Sequence, residues 1–366
     1  MKNEIAVIGL RGFPNVQGGV EKHCEALYRR MDGFRFNVYR RKPYLVSGGE
    51  ESYDNITFTD LPSSTISGVE AMGHTFMAAL HLIVRRPRLV HVHNIGPGLV
   101  LPLLKLFGLR TVMTYHSANY EHKKWSRLGR LLLRSGEWLS LRFADRVIFV
   151  NSAQREKVGG AVMEKTRYIP NGVVHHTPSE DTDFITSLGL TPGKYILGVG
   201  RLTPEKGFEY LVEAVNRLEG NHTLVIAGGS DNNDDYYQKL RKLDSRHRVI
   251  FTGNLQGEQL RQLYSHAGLF VLSSVNEGFP LVLLEAMDYG LPILATDIPG
   301  ARMAKLDEAD YFPAADTDGL VKALERRLAE NGPARKKYDL SAYDWDRIGQ
   351  LTSEVYNEIL GPSSDK

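Results

Sequence analysis

Four residues in the C-terminal half have the types and spacing of a binding site. In Gly198–Gly207, GVGRLTPEKG, Arg201 and Lys206 stand just before a helical stretch. A planar guanidinium fork and a point-charge ammonium that reach one place suit a diphosphate. Either cation taken alone reads equally as surface charge. In Glu277–Glu285, EGFPLVLLE, one carboxylate sits at a strand tip and the other about one turn into the next helix. Carboxylates accept well from neighbouring hydroxyls such as those of a ribose or a hexose. In isolation the same pair reads as a cap and a surface charge. Gly278 permits a tight turn and Pro280 suits the first helical turn. Backbone N–H groups at that helix N-terminus then face negative charge.

Such residues need strands that end side by side. Short β-branched runs alternate with longer helical stretches along the chain. Strands are predicted near Glu4–Leu10, Phe34–Arg40, Ile56–Leu61, Leu89–His93, Thr111–Tyr115 and Arg146–Val150. In the second half they fall near Tyr195–Val199, Thr223–Ala227, Val249–Thr252, Leu269–Leu272 and Pro292–Thr296. Helices are predicted over Gly19–Met31, Gly68–Arg85, Gly98–Phe107 and Lys124–Phe143. Later ones span Gly207–Leu218, Tyr236–Asp244, Glu258–His266, Val282–Tyr289, Thr317–Glu330 and Ala342–Leu360. The pattern is α/β: two doubly wound, mostly parallel sheets, which bind ligands beyond the carboxyl ends of their strands. The domains are expected at 1–175 and 176–341, with 342–366 a C-terminal helix packing back toward the first.

A chain of 366 residues accommodates two such domains. Its single cysteine, Cys24, excludes an intramolecular disulfide and a cysteine-built zinc site, which suits a cytoplasmic protein. The opening MKNEIAVIGLRG reads as a buried first strand, not a signal peptide, and no apolar run approaches a membrane span. Residues 1–180 carry 25 Lys and Arg against 15 Asp and Glu, whereas 181–366 carry 20 against 28. A basic half and an acidic half point to different partners. The acidic half and the lack of a binding motif exclude nucleic acid. Gly9-Leu-Arg-Gly12 departs from the glycine pattern of a dinucleotide-binding turn.

The segments GRLTPEKG, FTGNL and EGFPLVLLEAMDYGLPILAT resemble the retaining family 4 glycosyltransferases of the GT-B fold. IPNGV at Ile169–Val173, GGVEKH at Gly18–His23, and HVHN and TYHS at later strand tips agree with that resemblance. The N-terminal half is most similar to bacterial enzymes that build surface polysaccharides. The resemblance implies two Rossmann-like domains facing across a cleft and transfer of a sugar from a nucleoside-diphosphate sugar.

It further implies roles by position. Arg201 and Lys206 hold the diphosphate, Glu285 the ribose, and Glu277 the sugar hydroxyls, helped by the backbone of Gly278, Phe279 and Leu281. Asn254 and Leu255 border the base. Gly18 and Gly19 let a helix N-terminus approach the diphosphate. His116 lies near the anomeric carbon. Glu21, His93, Asn94 and Glu121 lie on the acceptor side, where Glu21 reads equally as a charge favouring its helix N-terminus. His91, read as alternating with His93, is expected on the opposite face. No cofactor or metal is expected, since no Asp-x-Asp sits at a strand tip and cations can stabilise the leaving group.

The stretch 122–146 carries Lys123, Lys124, Arg127, Arg130, Arg134, Arg142 and Arg146 against Glu137 and Asp145, with Trp125, Trp138 and leucines between. A basic amphipathic helix of this kind lies on an anionic membrane, which would suit a glycan or polyprenyl-linked acceptor at the inner face. It reads equally as a core-packed helix with a solvated basic side. Competing functions are an epimerase or hydrolase of nucleotide sugars on the same fold, and a catalytically silent nucleotide-sugar-binding protein.

Overall fold

The computed structural model describes residues 4–45, 52–64, 69–118, 120, 126–230, 235–330 and 335–361. The chain forms two compact units, Met1–Gly172 with Ala342–Lys366, and Val173–Ser341.

The first unit is built on seven strands: β1 Glu4–Ile8, β2 Arg35–Arg41, β3 Ile56–Leu61, β4 Leu89–His93, β5 Thr111–Tyr115, β6 Arg146–Phe149 and β7 Thr166–Tyr168. They lie in the order β3-β2-β1-β4-β5-β6-β7, with every ladder parallel. Ile5 pairs with both Phe36 and Leu89, so the strand order reverses beside β1. Such a reversal opens a crevice at the strand ends. Helix α1, Gly19–Tyr28, packs against the C-terminal helix Trp345–Leu360. Helices α2, Val69–Arg85, α3, Leu101–Leu106, and α4, Arg127–Phe143, pack in sequence to form a separate layer. Ala78, Ala79 and Leu82 of α2 and Leu101 and Leu104 of α3 close over Val90, Val92, Met113 and Phe149. Each buried side chain of Leu or Phe size contributes about 1.5–3 kcal/mol.

The second unit repeats the plan with six strands: β8 Tyr195–Val199, β9 Thr223–Ala227, β10 Val249–Gly253, β11 Leu269–Leu272, β12 Ile293–Thr296 and β13 Tyr311–Phe312. Their order is β10-β9-β8-β11-β12-β13, all parallel, with the reversal beside β8. Phe208, Leu211, Val212 and Val215 on helix Phe208–Arg217 cover Leu224, Ile226 and Val271.

Four elements depart from the pattern read in the sequence. Strands β7 and β13 have three and two residues, too few to show a period. The helix expected over 98–107 splits into a 3-10 turn, Pro97–Val100, and α3, because Pro97 and Pro102 each open a new first turn. The first helix ends at Tyr28, short of Met31. At the boundary, a Cβ on Gly172 would stand 2.5 Å from the Trp345 ring, so glycine lets the C-terminal helix close on the first unit. Among the described residues no helix is long and apolar enough to cross a membrane.

Candidate active site

In the second unit, Arg201 follows β8 in a half-buried loop, and Lys206 ends the short 3-10 turn Pro204–Lys206. Gly207 then adopts φ 61° before helix Phe208–Arg217, and a Cβ there would meet the Ser273 carbonyl oxygen at 2.2 Å. Only glycine fits both demands. The Ser273 hydroxyl donates to the Lys206 carbonyl at 2.9 Å, tying this loop to the tip of β11.

That tie brings two of the predicted residues together. Lys206 Nζ lies 2.5 Å from Glu277 Oε1, and the Ser274 hydroxyl donates to the same oxygen at 2.9 Å. The side chains are 17% and 15% exposed. Gly278 and Phe279 form the buried turn that follows, and Leu281 opens helix Leu281–Asp288. Pro280 stands one position earlier than expected, at the N-cap, and contributes no N–H. A Cβ on Gly300 would meet the Glu277 carbonyl at 2.4 Å, so this loop is braced from a second side.

Glu285 Oε2 accepts from the Tyr264 hydroxyl at 2.9 Å. Burial, then the Glu285 charge, holds the Tyr264 hydroxyl well above its ordinary pKa, so it stays a donor. The Tyr264 ring stacks on Tyr289 with centroids 5.1 Å apart. Sequence reasoning missed Tyr264, since its partner is 21 positions away on another helix. Asn254, exposed, and Leu255, half-buried, follow β10.

In the first unit, Gly18 is the N-cap of α1 and Gly19 its first residue. A Cβ on Gly18 would meet the Glu21 carboxylate at 1.9 Å. Glu21 is buried and accepts from the Arg11 backbone N–H at 2.9 Å. Its carboxylate therefore braces the turn after β1 and the start of α1. Asn94, at φ 71°, likewise donates its side-chain amide to the Gly9 carbonyl at 3.2 Å. Glu121 lies outside the described residues.

His116 and His93 are brought together more closely than foreseen. His93 Nδ1 is 2.9 Å from His116 Nε2, and their rings stack at 5.2 Å. His23, from α1, meets His116 edge-on at 4.9 Å and shares its Nδ1 with Asn171 Oδ1 at 2.9 Å. His91 stacks on His93 at 4.3 Å. The expected placement of His91 on the opposite face is thus corrected: residues two apart on a strand share a face. Burial holds the His23 ring down to about 4 and that of His91 to about 3. Burial, reinforced by neighbouring histidines, holds His93 and His116 well below the ordinary range. All four rings are neutral at neutral pH.

Among the described residues, His23, His93 and His116 form the group able to ligate a metal, with ring nitrogens within 4.8 Å of one another. Two nitrogens on one tetrahedral zinc stand about 3.3 Å apart. The 2.9 Å His93–His116 contact is shorter and has the length of a shared proton. His93 Nε2 is also engaged, by the Tyr28 hydroxyl at 2.6 Å. The set is hydrogen-bonded internally as it stands.

The outer surface of the α2–α3–α4 layer is distinctive. Eleven large apolar side chains are exposed among the described residues, and all but Val174 lie here. On α2 they are Met72, Phe76, Met77, Leu80 and Val84, and no charged residue stands among them. Leu106 and Phe107 follow at the end of α3, then Leu128, Leu131 and Trp138 on α4. The exposed face of α4 adds Arg127, Arg130, Arg134 and Arg142, while Glu137 turns inward to accept from the Tyr115 hydroxyl at 2.5 Å. The α2 face escaped sequence reasoning because a long apolar helix reads as core until one sees which side is covered.

Residues 17–176 match the family described as Glycosyltransferase Family 4, and residues 181–345 that described as Glycosyl transferases group 1. An uncharacterized glycosyltransferase of Methanocaldococcus jannaschii is 32% identical, covering 98% of this chain and 100% of its own. The chain belongs to the family 4 glycosyltransferases. Sucrose-phosphate synthase from Thermosynechococcus elongatus superposes with a TM-score of 0.82 at 23% identity, covering 99% of this chain and 100% of its own. The Anabaena HepE protein, solved in complex with UDP-glucose, superposes at 0.75 with 19% identity, covering 97% and 99%. The glycosyltransferase therefore has the GT-B fold, two parallel-sheet α/β domains.

Proposed function

We propose that this glycosyltransferase moves a sugar from a nucleoside-diphosphate sugar, with retention and without a metal, to a glycan or lipid-linked acceptor of a surface polysaccharide. The observation that carries the reading is the Lys206–Glu277 pair, tied by Ser273 and Ser274 to the tip of β11. It holds a cation and a carboxylate rigidly at the carboxyl end of a sheet, beside a helix N-terminus. Arg201 and Lys206 take the diphosphate, Glu277 orients a sugar hydroxyl, and Glu285, pinned by Tyr264, takes the ribose. The UDP-glucose seen with the similar HepE protein supports a donor of this class.

In the reaction, the bond from the anomeric carbon to the diphosphate oxygen breaks. The acceptor hydroxyl attacks the same face, and its proton passes to a leaving phosphate oxygen. Negative charge grows on the diphosphate, and the fixed cations stabilise it most at the transition state.

The acceptor is proposed to lie on an anionic membrane at the cytoplasmic side. Exposed arginines between leucines and Trp138 on α4, together with the uncharged exposed face of α2, suit lipid headgroups and the outer acyl region.

Calorimetry with nucleoside diphosphates and their sugars, with and without EDTA, tests the donor reading. One nucleotide should bind in EDTA and lose affinity in Lys206→Ala and Glu285→Ala. No binding to folded protein would remove the transferase assignment of these residues. Fast turnover of donor without acceptor would favour a hydrolase or epimerase.

A further inference from the structure

Glu285 belongs to a closed circuit of contacts that begins at the first residues of the second unit. Residues 173–176 open that unit. His175 Nδ1 lies 2.6 Å from Asp288 Oδ1, 113 positions away, and the His176 backbone N–H donates to Asp288 Oδ2 at 2.8 Å. Burial by itself would raise the Asp288 carboxyl, but His176 and His175 outweigh it and hold the group below its ordinary value. Asp288 is the last residue of helix Leu281–Asp288, and its side chain is 7% exposed. Glu285 lies three positions earlier, on the same face of that helix.

From His176 the circuit returns through stacked rings. The His176 imidazole lies on Tyr289 with centroids 5.6 Å apart and 17° between the planes. Tyr289 lies on Tyr264 at 5.1 Å and 7°. The Tyr264 hydroxyl donates to Glu285 Oε2 at 2.9 Å, which closes the circuit. Tyr289 and Tyr264 are buried, whereas His176 ends the stack at the surface. Glu285 is thus fixed from two directions. Its helix is tied at Asp288, and its carboxylate is aimed by a hydroxyl whose ring cannot tilt without moving Tyr289 and His176.

We propose that Asp288, His176 and Tyr289 are positioning residues for Glu285, and that this circuit sets how strongly the protein prefers a ribose over a 2′-deoxyribose. This rests on the reading that Glu285 takes the ribose. A carboxylate accepts well from a hydroxyl only over a narrow range of distance and angle. Held in place, it makes that bond with little further loss of rotamer freedom. Released, it must be ordered at each binding event, and the bond gains less. The loss falls on the ribose hydroxyl alone, while the diphosphate and the base are bound as before.

Calorimetry of the full chain with UDP, GDP and ADP, each beside its 2′-deoxy form, tests this. For whichever pair binds, the wild type is expected to favour the ribose form roughly tenfold or more, as for one hydrogen bond to a charged group. Tyr289→Leu and Asp288→Ala should each bring the ratio to about threefold or less, with the affinity for the deoxy form within about twofold of the wild type. Tyr289→Phe keeps the stack and should keep the ratio. A purely structural role would lower the melting temperature and leave the ratio alone. An unchanged ratio in Tyr289→Leu or Asp288→Ala overturns the proposal, as does an equal loss of both forms. Should those variants fail to fold, His176→Ala, which removes only the surface ring, must still narrow the ratio by about twofold or more. Glu285→Gln separates the two readings. If it abolishes the ratio while the other variants keep it, the positioning role alone falls. If it leaves the ratio unchanged, or the wild type shows no preference, the ribose reading falls and the proposal with it.

Discussion

Lys206 and Glu277 stand 71 positions apart in the chain and 2.5 Å apart in the fold. The contact aims an ammonium and a carboxylate at the same end of the second sheet, each limiting where the other can point. It also means that neither can be removed without stranding its partner in a poorly solvated place.

Lys206→Ala should therefore do two things. It should lower kcat/KM about 10²–10³-fold by removing a cation that acts on developing charge. It should also lower the melting temperature, since Glu277 loses its partner. Adding Glu277→Gln should restore the melting temperature but not the turnover. Thermal melts and initial rates on the wild type and the two variants separate the effects, and restored turnover would contradict a direct role for Lys206.

Tyr264→Phe leaves the Glu285 side chain without its 2.9 Å donor. The loss of one hydrogen bond, about 1 kcal/mol, should appear as a several-fold higher donor KM with kcat nearly unchanged. A loss of kcat at constant KM would place Glu285 at the reacting centre instead.

Gly207→Ala should destabilise the second unit by roughly 2–4 kcal/mol, combining a left-handed backbone with a Cβ in contact with a carbonyl. Urea unfolding should show this directly. An unchanged midpoint would mean that the loop has room the geometry denies.

Stability should depend on pH through the buried histidines. Their folded pKa values lie below the unfolded value near 6.5, at about 4 for His23 and His74 and about 3 for His91. Above pH 6.5 both states are neutral and these groups contribute nothing to the pH dependence. Below it the unfolded chain binds protons that the folded one refuses, so stability falls with pH until the folded values are reached. Each such histidine adds a slope of about 1.4 kcal/mol per pH unit. Urea midpoints between pH 7.5 and 4.5 should fall steadily, and a flat profile would show that the rings are already charged or solvated in the native state.

Flotation with anionic vesicles tests the surface of the α2–α3–α4 layer. Wild type should float and Arg127→Glu/Arg130→Glu/Arg134→Glu should not. Phe76→Ser/Leu80→Ser on α2 should weaken flotation even at high salt, where the arginine contribution is screened. Equal behaviour of all three proteins would remove the membrane reading.

Much of the architecture was legible because local rules and the final structure agree. Strands β3, β4, β5, β8, β9 and β11 occupy the ranges that β-branched runs and turn residues predict. Arg201, Lys206, Glu277 and Glu285 were visible because each sits at a fixed offset from a strand end or a helix start, and such offsets survive folding. What the sequence could not carry is pairing over distance. Nothing near Lys206 points to Glu277, nothing near Glu285 to Tyr264, and nothing near His91 to Tyr356. Those contacts follow from strand order, crossovers and the return of the C-terminal helix. For the same reason Glu21, a plausible exposed carboxylate by position, is buried on the Arg11 backbone. The α2 stripe of Met72, Phe76 and Leu80 stands uncovered, which the apolar run of that helix does not by itself disclose. Residue chemistry is local and written in the chain, whereas burial and partnership are properties of surfaces that exist only once the chain has folded.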